Sequence, residues 1–168
     1  MKRFQKILPS MIGSLFLIGC MGTQPTVPEV QKSMFIVMKT PVLRYADQGF
    51  VQKSAGITKI EIYASGVAVM KLEITGSKVC NGSGLFSCMS KAEFNKRYLS
   101  LSYPESILEH IFRGEKIFAG TNLKPITGGF EQTIVKSGAY AIHYTVLKKS
   151  IVFRDTISNI LIKVKDNE

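Results

Sequence analysis

The chain alternates apolar and polar residues over several short segments, and this alternation restricts the fold more than any other feature of the sequence. Ile60 and Ile62 alternate with charged residues in ITKIEIYA, residues 57–64, and Leu72 and Ile74 do so in VMKLEIT, residues 69–75. Because the side chains of a strand point alternately to its two faces, this pattern predicts half-buried antiparallel strands. The intervening residues 64–66, ASG, predict a hairpin turn.

A helical segment interrupts the predicted strands once. Helices are predicted over residues 91–100, where Ser90 and Glu93 form a capping box, and over residues 105–114, where Gly114 ends the helix. Further strands are predicted over residues 42–51, with a bulge or bend at Gly49, and over residues 128–135, 139–147, 150–155 and 157–165. We therefore predict a mainly β fold, a single curved antiparallel sheet or half-barrel covered by two short helices.

The first residues have the layout of a secretory signal. A basic start precedes an apolar run from Met11 to Ile18, which is far shorter than the roughly 20 residues that span a bilayer. The tetrapeptide that ends this segment, residues 17–20 (LIGC), resembles the lipobox of bacterial lipoproteins, in which the cysteine is acylated. The resemblance implies a lipoprotein signal peptide over residues 1–19 and an acyl anchor on Cys20. The alternative is an ordinary signal peptide with a chance cysteine.

The residues after Cys20 bear on location. Residues 20–33 contain prolines and little apolar periodicity, which predicts an acylated, flexible tether before a domain over residues 34–168. Residue 21 is Met rather than Asp, so by analogy with the enteric sorting rule we expect the outer membrane, with the domain facing the periplasm. Inner-membrane retention and surface exposure remain alternatives.

The net charge of the full chain is +10, but the basic residues are dispersed and do not form a run. Export excludes nucleic acid as a partner, so the charge favours solubility or contact with anionic headgroups. No catalytic or metal-binding motif occurs, and His110 and His143 lack ligand-like spacing. Asp47 and Asp155 are interpreted as turn formers. We therefore expect a protein that is not an enzyme and needs neither a metal nor a cofactor.

Two cysteines remain if Cys20 is acylated, and export places them in an oxidising compartment. We expect a disulfide between Cys80 and Cys88. The loop that they enclose carries Leu85 and Phe86 among glycines and serines. The disulfide either holds these two side chains out as an apolar finger for membrane or cargo, or both fold back under the sheet.

The combination of a lipobox, a proline-containing tether, an antiparallel sheet and a helical insertion ending in residues 111–114 (IFRG) resembles the LolB and LolA group of lipoprotein carriers and receptors. The resemblance covers most of residues 36–165 and ends in NILIKVK, residues 159–165. It implies a half-barrel that holds an acyl chain, and it matches Leu85 and Phe86 to the membrane-inserting loop of LolB. The implied cavity lining comprises Ile107, Leu108, Ile111, Phe112, Tyr140, Ile142 and Tyr144. This chain departs from the family in lacking tryptophan, in the cysteines around the loop and in a shorter predicted sheet.

Two functions follow as hypotheses. The first is an outer-membrane lipoprotein that binds lipid or lipoprotein acyl chains in the half-barrel, for lipoprotein localisation or envelope lipid transfer. The second is a non-catalytic structural or assembly lipoprotein that docks an envelope protein through a sheet edge or an apolar loop. An open cavity between sheet and helices favours the first hypothesis.

Overall fold

The computed structural model describes residues 32–82 and 87–167, which form one antiparallel sheet with two helices against one face. In these ranges the strands are β1 Ser33–Lys39, β2 Arg44–Ser54, β3 Ile57–Ala64, β4 Val67–Thr75, β5 Lys78–Asn81, β6 Ser87–Ser90, β7 Leu123–Ile126, β8 Gly129–Lys136, β9 Tyr140–Leu147, β10 Ser150–Asp155 and β11 Ile160–Asp166. The helices are α1 Lys91–Tyr98 and α2 Ile107–Arg113. Neither helix has the length and hydrophobicity needed to cross a membrane.

The strands follow the order β6-β5-β4-β3-β2-β1-β11-β10-β9-β8-β7, so the sheet is open, with β6 and β7 as its edges. The first and last strands, β1 and β11, pair with each other in the middle of the sheet, where Ile36 of β1 lies opposite Val164 of β11. The sheet is curved, and α1 and α2 cover its concave face as a lid. The predicted fold class, a mainly β half-barrel with two short helices, is confirmed.

The alternation in sequence becomes a two-sided sheet in the structure. Ile60 and Ile62 of β3 and Ile36 and Met38 of β1 are fully buried on the concave face, while Lys59 is exposed on the other face. The buried core extends from Ile36 to Val164. Residues 32–168 therefore contain the whole of this sheet and its core, as well as both cysteines of the predicted disulfide.

Local chemistry fixes the start of α1, the end of α2 and one hairpin as predicted. The Ser90 hydroxyl accepts a hydrogen bond from the Glu93 amide at 3.1 Å, and Gly114 ends α2 in the left-handed region at φ 69°. Ser65 and Gly66 join β3 to β4 with φ values of 50° and 79°, the conformation of a tight hairpin turn.

A bulge or a bend was predicted at Gly49, and the structure shows no bulge there. Gly49 pairs in register with Met34 on one side and Ile62 on the other, and a Cβ atom there would lie 2.2 Å from the Glu61 carbonyl oxygen. The glycine is needed because the β3 backbone approaches closely. The irregularity lies instead between β3 and β4, where Ile62 pairs with Met70 but Tyr63 pairs with Ala68.

Candidate functional site

A cleft of about 200 Å³ opens between α1 and strands β2, β4, β5 and β6. Most of its lining is apolar or aromatic, with polar groups at Asn81, Ser87 and Arg97. The full lining comprises Leu43, Tyr45, Val69, Met70, Leu72, Val79, Asn81, Ser87, Met89, Phe94, Arg97 and Tyr98. An apolar concave surface with few polar groups is typical of a ligand-binding site.

The irregularity in β4 supplies part of this lining. Val69 is the extra residue between the two registers, so it has no partner in β3. A bulge of this kind re-aims a side chain, and here both Val69 and its neighbour Met70 line the cleft. In regular pairing these neighbours would face opposite sides of the sheet.

Helix α1 forms the opposite wall. Phe94 and Tyr98 lie four residues apart on one face of the helix, and their ring centroids are 4.8 Å apart. Phe94 is buried, whereas Tyr98 is half-buried. Because α1 has only eight residues, it covers this end of the sheet incompletely.

Arg97 is the one cationic side chain among the described residues that line the cleft. The Arg97 guanidinium lies 5.3 Å from the centre of the Tyr98 ring, and Arg97 is exposed. Among the described residues it forms no ion pair, so its charge remains available to a ligand. An apolar wall beside an arginine suits an amphiphile with an anionic or strongly polar head.

Polar contacts hold the lid in place around the cleft. The Lys91 ammonium at the start of α1 lies 2.6 Å from the Glu109 carboxylate of α2. The Asn95 side chain donates to the Pro104 carbonyl at 2.9 Å, tying α1 to the connection between the helices. The position of the α1 wall is therefore fixed by side chains that do not line the cleft.

The predicted disulfide is confirmed. Cys80 of β5 lies directly opposite Cys88 of β6, and their sulfurs are bonded at 2.08 Å. Val79 and Met89, the neighbouring pair, line the cleft. The bond therefore joins the two strands that form the outer wall of the cleft. Leu85 and Phe86, predicted as a finger, lie outside the described residues, as does Cys20.

The structure places the side chains that were predicted to line a cavity in the packed core. None of them lines the cleft, and all seven are at most 8% exposed: Ile107, Leu108, Ile111, Phe112, Tyr140, Ile142 and Tyr144. Helix α2 packs its apolar face against the sheet, where it contacts β3 and β10. The Tyr144 hydroxyl donates to the Glu115 carbonyl at 3.0 Å, which fixes the end of α2 to the sheet.

A smaller hollow of about 160 Å³ lies at the end of the sheet where β1 begins, and of the seven predicted lining residues Phe112 alone contributes to its wall. Lys53 and Arg113 meet there, and the Lys53 ammonium donates to the Arg113 carbonyl at 3.1 Å. Burial and the nearby guanidinium lower the pKa of Lys53. These contacts hold the end of α2 against β2 and β3.

The buried polar groups outside the cleft are satisfied by one another. The Asp155 carboxylate accepts from the Tyr103 hydroxyl and from the amides of Ala141 and Ile157. Burial alone would raise the pKa of Asp155, but these hydrogen bonds outweigh it and hold the pKa below its usual value. The burial of Tyr103 raises its own pKa, and the bond to Asp155 adds to this effect. These groups join the lid to the sheet.

The histidines lie apart from these groups. His143 is exposed between Thr133 and Thr145, and His110 lies 3.9 Å from the Glu115 carboxylate near the end of α2. Residues 32–82 and 87–167 contain no group of three His, Cys, Asp or Glu side chains arranged to hold a metal ion. What the cleft offers chemically is a set of apolar and aromatic side chains, the polar side chains of Asn81 and Ser87, and the guanidinium of Arg97.

Comparison with known proteins gives no family for this chain. No protein-family model matches the sequence, and no curated protein matches it. The function is therefore inferred from the cleft, the open sheet and the N-terminal sequence.

Proposed function

We propose that this chain is a lipid-anchored envelope protein that binds a lipid or lipoprotein acyl chain in the cleft beside α1. The observation that carries the proposal is the set of apolar and aromatic side chains among the residues that line the cleft, together with the Arg97 guanidinium. The lipobox-like residues 17–20 and the resemblance to the LolB and LolA group support it. Because residue 21 is Met rather than Asp, we propose the outer membrane by analogy with the enteric sorting rule, with the domain facing the periplasm and without catalytic chemistry.

The cleft suits part of an acyl chain. Its volume of about 200 Å³ is below the roughly 300–1,000 Å³ of typical small-molecule sites. One chain segment fits, while the remainder extends through the mouth or requires α1 to move outward. Each methylene that enters contributes about 0.8 kcal/mol. Met70 and Met89 are flexible enough to adapt to such a chain.

Arg97 gives the bound chain an orientation. Its guanidinium can donate to a carboxylate, a phosphate or an ester carbonyl, while the apolar walls accept the hydrocarbon. The ring of Tyr98 already holds this guanidinium near the cleft. We therefore expect an anionic amphiphile to bind more tightly than its uncharged analogue.

A second candidate function follows from the edge of the sheet. Within residues 32–82 and 87–167, strand β7 pairs only with β8, and all four of its residues are exposed. An unpaired edge can accept a strand from another protein, which is the docking role of a structural or assembly lipoprotein. Pro125 removes one of the donors on this edge, which weakens this candidate relative to the cleft.

Binding of laurate to residues 32–168, measured by titration calorimetry, tests the proposal. Val69→Phe fills the cleft at the bulge, where the side chain is half-buried, and should abolish binding. Val135→Phe makes the same change at an exposed position on β8 and should leave binding intact. Equal binding by both variants would refute the assignment of the cleft.

Arg97 is tested with a pair of ligands. Arg97→Gln should weaken laurate binding about tenfold, the effect of losing one charged hydrogen bond. The same change should have little effect on lauryl alcohol, which lacks the carboxylate. Equal losses for both ligands would mean that Arg97 contributes packing and not charge.

A further inference from the structure

Large aliphatic side chains are exposed on several connections at one end of the sheet. Val42 lies in the turn between β1 and β2, Val67 begins β4 after the β3–β4 turn, and Ile157 lies in the turn between β10 and β11. Their exposed fractions are 61%, 66% and 50%. Leu101, in the connection between α1 and α2, is 73% exposed. We call these four residues the apolar rim.

The registers place these connections at the same end. Lys39, the last residue of β1, pairs with Arg44 and with Leu161, next to the start of β11. The three turns are each separated by two strand spacings, so neighbouring turns are roughly 10 Å apart. The Tyr103 hydroxyl donates to Asp155, the last residue of β10, and so brings the connection that carries Leu101 to this end.

The turns at the opposite end of the sheet have a different composition. Its turns are residues 55–56, 76–77, 127–128 and 148–149, with sequences AG, GS, TG and KK. Ile126 and Leu147 lie near these turns, but they are only 36% and 37% exposed. The more exposed aliphatic turn residues therefore gather at one end.

The residues around the rim are mostly basic, which suits an anionic surface. Lys39 and Arg44 flank the β1–β2 turn and Lys136 ends β8 at the β8–β9 turn, and all three are exposed. Glu105 is exposed in the α1–α2 connection, whereas Asp155 is buried and bonded to Tyr103. Aliphatic tips among basic residues are suited to an anionic bilayer, whose headgroups attract the cations while the tips enter the interface.

We propose that the apolar rim docks on an anionic lipid bilayer. The cleft reaches this end of the sheet, because Leu43, which follows Val42 in the same turn, and Asn81, which ends β5 there, both line it. Docking would therefore bring the cleft to the membrane surface. The inference rests on the proposed function only where it brings the cleft to the membrane. Docking itself needs no ligand in the cleft.

The proposed anchor is compatible with this orientation. Strand β1 begins at the opposite end of the sheet, and residues 21–32 separate it from Cys20. A fully extended segment of this length reaches about 40 Å, and the longest strand, β2 with its 11 residues, spans about 36 Å. An acyl chain on Cys20 and the rim can thus contact the same bilayer.

Tryptophan fluorescence tests the docking end, because the chain has no tryptophan of its own. Leu101→Trp and Val67→Trp are made separately in residues 32–168 and mixed with vesicles of phosphatidylcholine and phosphatidylglycerol. The fluorescence emission of each variant should shift to shorter wavelength on mixing, and added salt should reduce this shift. Leu147→Trp, at the opposite end, is the matched control and should not shift. Equal shifts at both ends, or none at the rim, would overturn the proposal.

Vesicle sedimentation tests the rim as a set. Changing Val42, Val67, Leu101 and Ile157 to serine should weaken binding roughly 100-fold, about threefold for each side chain. Changing Ile126 and Leu147 to serine should have little effect. Circular dichroism and a thermal melt first establish that each variant folds. Unchanged sedimentation of the folded rim variant, or rim-dependent self-association without vesicle binding, would contradict membrane docking.

Laurate binding without vesicles separates this inference from the proposed function. A rim variant that binds laurate but not vesicles supports both. If wild type binds laurate but not vesicles, the rim inference fails and the cleft assignment stands. If it binds vesicles through the rim but not laurate, the cleft assignment fails and the rim inference stands.

Discussion

Asp155, at the end of β10, connects three parts of the structure, and Asp155→Asn should destabilise the fold by about 3 kcal/mol. Its carboxylate is 1% exposed and accepts from the Tyr103 hydroxyl, from the Ala141 amide at 2.9 Å and from the Ile157 amide at 3.0 Å. An asparagine has one acceptor atom where the carboxylate has two, and its amide group would face one of these donors. The loss of stability therefore has two causes: a charged hydrogen bond is removed, and a buried donor is left without an acceptor.

The stability difference between wild type and Asp155→Asn should decrease as the pH falls. The pKa of Asp155 is lower in the folded state than the value of about 3.9 expected for the unfolded chain. The folded state therefore favours the ionised form, and this stabilisation is fully present above pH about 4. It is lost as the pH falls through the lower, folded-state pKa. The difference in stability between wild type and Asp155→Asn should shrink accordingly.

Urea denaturation at a series of pH values from 7 to 2 measures this difference. Tyr103→Phe removes one donor but leaves the backbone donors, so it should cost about 1 to 2 kcal/mol. Glu105→Gln, at an exposed acid nearby, is the matched control and should change stability by less than about 0.5 kcal/mol. A loss in Asp155→Asn that is the same at pH 7 and pH 2 would refute the assignment of the charged form.

Three further predictions concern other parts of the chain. Gly49→Ala should lower the free energy of unfolding by about 3 kcal/mol in urea denaturation, because its Cβ would meet the Glu61 carbonyl oxygen. Gly82→Ala is the control and should be nearly neutral, because its Cβ would lie 3.5 Å from the Lys71 side chain. Equal effects of the two changes would contradict the close approach at Gly49. Replacing Cys80 and Cys88 with serine should lower stability by about 2 to 3 kcal/mol through loss of loop closure, and reducing agent should lower the melting temperature of wild type but not of this variant. Cys20→Ala should leave a soluble or uncleaved precursor, and a variant still labelled by palmitate and pelleting with membranes would end the lipoprotein proposal.

Strong local patterns made much of the fold predictable. The alternation around Ile60 and Leu72 identified half-buried strands, and Ser90 and Gly114 marked helix ends through their own backbone chemistry. The predicted disulfide followed from the cysteine count and the inferred compartment. In each case the signal lay in neighbouring residues or in composition.

The strands that were not predicted lack such a signal. In β1, SMFIVMK, Phe35 and Val37 on the outer face are apolar as well, so the run shows no period of two. These two residues lie opposite Lys165 and Lys163, whose aliphatic stems can cover apolar neighbours. Strands β5 and β6 have four residues each, and β7 contains a proline and is exposed throughout.

The cleft could not be located from sequence because distant segments form it. The apolar face of α2 was predicted to line a cavity, but the same face is what a helix needs to pack on a sheet. Which helix leaves space beside it depends on the tertiary arrangement. The irregularity at Val69 likewise depends on how β3 and β4 pair, which no single segment specifies.

Methionine methyl resonances offer the most direct test of acyl-chain binding in the cleft. Met70 and Met89 line the cleft, whereas Met34 lies near the start of β1, at the opposite end of the sheet. Residues 32–168 labelled with carbon-13 at the methionine methyls are titrated with laurate, and single Met→Leu changes assign the signals. We expect the Met70 and Met89 signals to shift with a common saturation curve while the Met34 signal stays in place. Saturable laurate binding that leaves Met70 and Met89 unshifted, or no binding at all, would contradict the proposed function.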